Sequence, residues 1–336
     1  MYQEAQEAHS KVQLQLISNK QQIETLVERL HRKPPSLVMT CARGSSDHAA
    51  TYAKYLIETH IGTPTLSAAP SINSVFAARQ NLNDVLFLAI SQSGQSPDIL
   101  SAAQAAKDRG AFVVSLINDI TSPLAELSDV VIPLHAGPEK SVAATKSFIC
   151  SLSAIVHLVA AWAQNQSLMK ELNNLPDALE KTFTLNWYTG IGVLKDARNL
   201  FVISRGFGLG IAQEAALKFK ETCGLHAEAF SAAEVKHGPM TIVKKGFPVL
   251  IFSVQDQTQS SIDDAATAFI ERSAQVLSVG QSYDGAQNLD TAFSAAAELR
   301  PIVFIQSFYK FVNALSLTRG YNPDCPPYLN KVTETL

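Results

Sequence analysis

DVLFLAISQSGQSPDILSAAQAAKDRG, residues 84–110, decides the fold class. From Val85 to Ile90 the run is apolar at every position, with no alternation. A strand of that kind is covered on both faces, the mark of a parallel sheet packed between helices. The chain then turns polar at SQSGQS. Ser96-Pro97-Asp98 opens a helix, because Ser is a favoured N-cap and Pro suits the first helical turn. Strand, polar turn and helix in series form half of a βαβ unit.

The same pattern extends in both directions. Upstream, SLVMTCA reads as a strand, followed by a glycine turn and the helix RGSSDHAATYAKYLIETH; PTLSAA reads as a strand and SINSVFAARQ as a helix. Downstream, AFVVSLIN and DVVIPL are strands. The alternation restarts at NLFVISRGFGLGIAQEAALKFKE, where Arg205-Gly206 repeats Arg43-Gly44. PVLIFSV, AQVLSVG and PIVFIQ read as further strands. The expectation is an α/β chain of two similar domains, each a parallel sheet with helices on both faces, a flavodoxin-like αβα sandwich. The expected divisions are a helical segment 1–34, a first domain 35–180, a second domain 190–325 and a tail 326–336. SFICSLSAIVHLVAAWAQ (147–164) is apolar on most faces and is expected between domains or subunits.

The totals narrow the function classes. The 336 residues are 46% hydrophobic and 17% charged, with a formal net charge of −3 and a pI near 6.2. That balance argues against nucleic-acid binding, which needs a basic patch. The apolar runs are too short to span a membrane, and the start MYQEAQEAHSK is no signal peptide. Cys41, Cys150, Cys223 and Cys325 lie far apart, without metal or redox spacing, and read as small buried thiols. The reading is a soluble cytoplasmic protein with no metal and no cofactor.

In open α/β sheets ligands sit at the carboxyl ends of the strands. Residues 91–96 fall there. The Ser91, Ser93 and Ser96 hydroxyls and the Gln92 amide add donors to a helix N-terminus, which favours anions. Gly94 lets the backbone come close. A phosphate fits, but a nucleoside triphosphate does not, because no G-x-x-x-x-G-K-[ST] pattern is present. Read alone, the stretch is equally a polar turn with an ordinary N-cap. A second turn, Gly44-Ser45-Ser46, belongs at the end of a neighbouring strand and strengthens the phosphate reading. Farther on, Glu214, Lys218 and Glu221 fall at i, i+4 and i+7, on one helix face near the start of its helix. Spacing alone leaves a surface Glu/Lys ladder open. His226 is equally a structural residue.

SQSGQSPD resembles the phosphosugar loop of the sugar isomerase (SIS) family. EAALKFKETCGLHAEAFSAAEVKHGP (214–239) and the tail NPDCPPYLNKVTETL are similar to the isomerase half of the glucosamine-6-phosphate synthases within it. The resemblance implies that Ser46, Ser91, Gln92, Ser93 and Ser96 bind the sugar phosphate. It makes Glu221 the base moving a proton between C1 and C2, supported by Glu214 and Lys218. It gives His237 ring opening from the partner subunit of a homodimer, and Lys331 a Schiff base with the ketose. Gly44, Ser45, Ala144, Thr145 and Lys146 would line the substrate, with Ala144 standing where the family carries a phosphate-site serine. The sequence opens on the isomerase-like part, so a protein without a glutaminase domain is expected. The expectation is therefore a stand-alone glucosamine-6-phosphate deaminase. Rival readings are a deaminase or deglycase on galactosamine 6-phosphate or fructosamine 6-phosphate, or a phosphosugar sensor without catalysis.

Overall fold

Two five-stranded parallel sheets organise the chain. The computed structural model describes residues 1–291, 296–329 and 331. The first sheet holds β1 (Leu37–Cys41), β2 (Thr65–Ser67), β3 (Val85–Ser91), β4 (Phe112–Ile117) and β5 (Val130–Pro133), in the order β2-β1-β3-β4-β5. The second holds β6 (Asn199–Ser204), β7 (His226–Ser231), β8 (Pro248–Phe252), β9 (Gln275–Val279) and β10 (Gln287–Leu289), in the order β10-β9-β8-β6-β7. Each sheet thus runs second, first, third, fourth, fifth, and every pairing is parallel. This is the doubly wound order, whose ligand crevice opens where the winding reverses. In the first sheet that point lies between β1 and β3.

The chain divides into two compact units. One comprises Ser10–Glu139, Lys146–Pro176 and Asn330–Leu336; the other comprises Met1–His9, Lys140–Thr145 and Asp177–Leu329. In the first unit, all seven residues of β3 are buried. Phe87 and Ala89 pack with Ile99, Ala102, Ala103 and Ala106 of the Pro97–Asp108 helix. The small residues on that helix let it lie close on the sheet. In the second unit, Phe201, Ile203, Val249 and Ile251 pack against Ile262, Ala265, Ala266 and Phe269 of the Gln259–Glu271 helix.

Four expectations are corrected. SINSVFAARQ forms only the short helix Ser71–Ser74; Val75 and Phe76 are exposed, so no apolar face anchors a longer one. PIVFIQ is not a strand but the start of the Arg300–Thr318 helix. Its apolar run continues to Leu315 over helical length, with Pro301 in the first turn, and length decides between helix and strand. Cys41, Cys150 and Cys223 are buried, whereas Cys325 is exposed. Lastly, the apolar Lys146–Trp162 helix is buried against helices of its own unit, Lys20–Arg32, Ser45–His60 and Gln166–Asn173. Among the described residues no helix is long and apolar enough to cross a membrane.

That inner helix carries a pH liability. His157 is buried, and its Nδ1 has no hydrogen-bond partner among the described residues. Burial pushes its pKa down to about 4. The folded chain keeps His157 neutral where the unfolded chain, with a pKa near 6.5, takes up a proton. Stability therefore falls as the pH drops through the window from about 6.5 to about 4. At pH 5 the loss is about 2 kcal/mol. Urea unfolding at pH 7 and pH 5 should show this loss in the wild type and a smaller one in His157→Leu. Equal pH dependence in both proteins would refute it.

Candidate functional site

The register brings the two polar turns of the first sheet side by side. Cys41 pairs with Ala89, so the residues after β1 run beside those after β3. Both turns lead into helices, Ser45–His60 and Pro97–Asp108. Ser45 and Ser46 are half-buried at the first helix start, behind Gly44 with its φ of +54°. In the second turn, the buried Ser91 hydroxyl accepts from the Gly94 N–H at 2.9 Å, and the half-buried Ser93 hydroxyl accepts from the Gln95 N–H at 3.4 Å. Gln92 and Ser96 are half-buried. Ser96 stands at the N-cap, yet its hydroxyl does not cap the helix, which departs from the capping role expected of it.

Gly94 has a φ of +64°, and a Cβ there would lie 2.2 Å from Ser122 Oγ and 2.4 Å from Ile117 Cδ1. The turn is thus held tightly against β4 and the segment behind it. Asp98, buried in the first helical turn, binds Arg43 through Nε at 2.7 Å and Nη2 at 2.6 Å. The guanidinium thereby bridges one turn to the start of the other helix, with its side chain about half exposed at 51%.

The second sheet repeats the turn but fills it. Gly206 has a φ of +62°, and a Cβ there would lie 2.4 Å from Asp256 Oδ2. The Asp256 carboxylate accepts from the Phe207 N–H at 3.3 Å and the Thr258 N–H at 2.7 Å. A carboxylate of the chain itself already occupies the anion-favouring position. The two repeats therefore offer an anion different things: the first presents serines, the second presents Asp256.

Glu214, Lys218 and Glu221 stand in line on the Leu209–Cys223 helix. Lys218 Nζ lies 3.2 Å from Glu214 Oε1 and 2.6 Å from Glu221 Oε2. Tyr309 donates to Glu214 Oε1 at 3.0 Å. The Glu214 and Lys218 side chains are 0% and 1% exposed, whereas that of Glu221 is 22% exposed. Burial opposes the Lys218 charge, but the two carboxylates outweigh it and hold the ammonium's pKa above its ordinary value. Glu221 is thus the member of the line that can meet a ligand, and Glu214 and Lys218 fix it from behind.

The group lies toward the end of its helix, not near the start as its distance from the glycine turn suggests. Glu221 sits in the last turn, before Gly224 closes the helix with a φ of +56°. β7 begins there at His226, which is exposed at the starting end of the sheet. β7 ends at Ser231, and His237 follows, exposed on the short turn Glu234–His237. A six-residue strand spans roughly 17 Å. One chain therefore keeps Glu221 and His237 at opposite ends of β7.

Lys331, the expected tail nucleophile, has a side chain 28% exposed. Its Nζ lies 3.4 Å from Oε2 of Glu139. Glu139 was not legible as a site residue: it sits in a loop, GPEK, with no periodic context. Thr145 and Lys146 are buried nearby in sequence, and Ala144 is half-buried.

The model of the SIS domain family matches residues 35–161 and 193–309, once over each sheet. The chain belongs to the SIS domain family. An isomerizing glutamine–fructose-6-phosphate aminotransferase of Pyrobaculum aerophilum is 34% identical over 324 residues, 92% of this chain and 53% of that protein. The chain thus spans about half the length of the curated relatives it matches. A Silicibacter pomeroyi structure with a provisional phosphosugar isomerase assignment superposes with a TM-score of 0.92 at 42% identity, covering 96% of this chain and 99% of that one. The glucosamine-6-phosphate deaminase of Thermotoga maritima shares the fold, with a TM-score of 0.74 at 21% identity over 97% of this chain and 100% of that one. In this SIS protein each domain match carries one glycine turn, at Gly44 and at Gly206.

Proposed function

We propose that this SIS protein is a phosphosugar aldose–ketose isomerase that converts glucosamine 6-phosphate to fructose 6-phosphate and ammonia. The observation that carries the reading is the line Glu214–Lys218–Glu221, two members buried and one reaching the surface. A sensor needs a phosphate handle but no such device. A carboxylate held by a buried lysine suits transfer of a proton between adjacent carbons. Glu221 takes the proton from C2 and returns it to C1. Ser46, Ser91, Gln92, Ser93 and Ser96, with the backbone of Gly44 and Ser45, hold the 6-phosphate. Lys331 exchanges the amine at C2, and Ala144, Thr145 and Lys146 line the sugar. The likeness to the Silicibacter structure and the aminotransferases supports the substrate class.

His237 opens the sugar ring, and a second copy of the chain supplies it. The separation of Glu221 and His237 along β7 supports a shared site in a homodimer. Mixing Glu221→Gln with His237→Asn, each inactive alone, should restore about a quarter of wild-type activity, because mixed dimers rebuild one intact site. No recovery after subunit exchange would remove His237 from the partner's share of the work. The reaction itself is tested by measuring ammonia and fructose 6-phosphate from glucosamine 6-phosphate, galactosamine 6-phosphate and fructosamine 6-phosphate. Turnover of fructosamine 6-phosphate alone would make the protein a deglycase.

A further inference from the structure

We propose that Glu139 positions Lys331 and accepts its proton before the lysine attacks C2, an inference that rests on the amino-sugar phosphate reading above. The Glu139 side chain has no solvent exposure. A buried carboxylate is costly unless its oxygens are bonded. Here Ser147 Oγ donates to Oε2 at 2.7 Å, and the Ser147 N–H donates to Oε1 at 3.2 Å. Ser147 lies in the first turn of the Lys146–Trp162 helix, where a negative charge is favoured. Lys331 Nζ approaches the same Oε2 at 3.4 Å. The carboxylate is thus anchored on the helix start, and the lysine comes to it from 192 positions away.

This arrangement does something that packing alone does not require. A lysine side chain has about 2 kcal/mol of rotamer entropy to lose, and a tail lysine left loose would seldom be aligned for attack. Glu139 gives its amine a fixed neighbour. The pair also solves the protonation problem. An ammonium cannot attack, and the Glu139 carboxylate, with Oε2 3.4 Å from the Lys331 Nζ, is an acceptor beside it. Glu139 takes one proton from the Lys331 ammonium. The neutral amine forms a bond to C2 of the imine left by proton transfer. Glu139 returns the proton to the substrate nitrogen, the bond between that nitrogen and C2 breaks, and ammonia departs. The Lys331 Schiff base remains and water hydrolyses it to the ketose and the ammonium. No electron changes hands, and no metal or other co-reactant is consumed.

The test is reductive trapping. Wild-type protein, Glu139→Gln and Ser147→Ala are incubated with fructose 6-phosphate and borohydride, and the labelled peptide is read by mass spectrometry. The expected result is label on Lys331 in the wild type and at least tenfold less in Glu139→Gln at pH 7. As the pH rises toward 9.5, the variant should recover more steeply than the wild type, because bulk solvent then removes the proton. Ser147→Ala, which loosens Glu139 without removing it, should lose label several-fold and decides the matter if Glu139→Gln fails to fold. Equal labelling of wild type and both variants at pH 7 would overturn the role of Glu139 and leave the function standing. Absence of label on Lys331 in the wild type would instead overturn the Schiff-base reading itself.

Discussion

Glu221→Gln should lower turnover of glucosamine 6-phosphate by about 10²–10⁴-fold, the usual contribution of a positioned proton-transfer group. Glutamine keeps the size of the side chain and still offers an oxygen to Lys218, but it cannot accept a proton. The fold should tolerate the change. Glu221 is the more exposed end of the line, and Lys218 keeps its buried partner Glu214 at 3.2 Å, which Tyr309 also binds. KM should change little, because the loss belongs to the transition state alone. The check is a steady-state comparison alongside a thermal unfolding curve. A variant within tenfold of wild-type kcat would end the assignment of Glu221 as the base. Glu214→Gln makes a useful contrast. It takes the buried carboxylate from a buried lysine, so its principal loss should be in stability.

Gly94→Ala should damage the phosphate handle, and the loss should appear in KM. Two costs act at once. Alanine in the left-handed region costs about 1–2 kcal/mol. Its Cβ would also lie 2.2 Å from Ser122 Oγ and 2.4 Å from Ile117 Cδ1, so the turn has to move. Any such movement displaces Ser91, whose hydroxyl is set by the Gly94 N–H. KM for the sugar phosphate should rise more than tenfold, and competitive inhibition by inorganic phosphate should weaken in parallel. Gly62→Ala, beyond the far end of the Ser45–His60 helix and outside the site, is the control: φ is +78° but nothing lies within 4 Å of the added Cβ, so only the backbone cost applies. Unchanged phosphate inhibition in Gly94→Ala would show that the 91–96 turn does not hold the phosphate.

Much of the fold was legible because its signals are local. Six apolar residues before SQSGQS specify a strand covered on both faces, and Ser-Pro-Asp specifies a helix start within one turn. The duplicated Arg-Gly turns mark the first strand of each sheet, and both sheets share one winding order. The failures have local causes too. PIVFIQ has the composition of a strand, and only the continuation of the apolar run to Leu315 separates it from one. SINSVFAARQ has helical spacing but no buried face to hold it.

The candidate site was legible in its residue types and not in their ranking. Glu214, Lys218 and Glu221 share a face by spacing alone. That Glu214 is sealed while Glu221 reaches the surface depends on Tyr309, which packs onto the helix from 95 positions away. The Gly44 and Gly206 turns read alike. Asp256, 50 positions after Gly206, is what separates them. Glu139 could not be found at all, because its meaning comes from Ser147 and Lys331 together.

By itself, then, the sequence determined eight of the ten described strands, missing β7 and β10, the glycine turns, the duplication of the parallel sheet and the helix face that carries two carboxylates and a lysine. These follow from periodicity and backbone preference, whose reach is a few residues. The tertiary structure alone decided that Asp256 fills one of two similar turns. It likewise decided that Glu221 and not Glu214 is accessible, that β7 parts Glu221 from His237, and that Glu139 meets Lys331. Burial and charge pairing are set by groups that the chain brings together across many tens of residues, and no local pattern encodes which they will be.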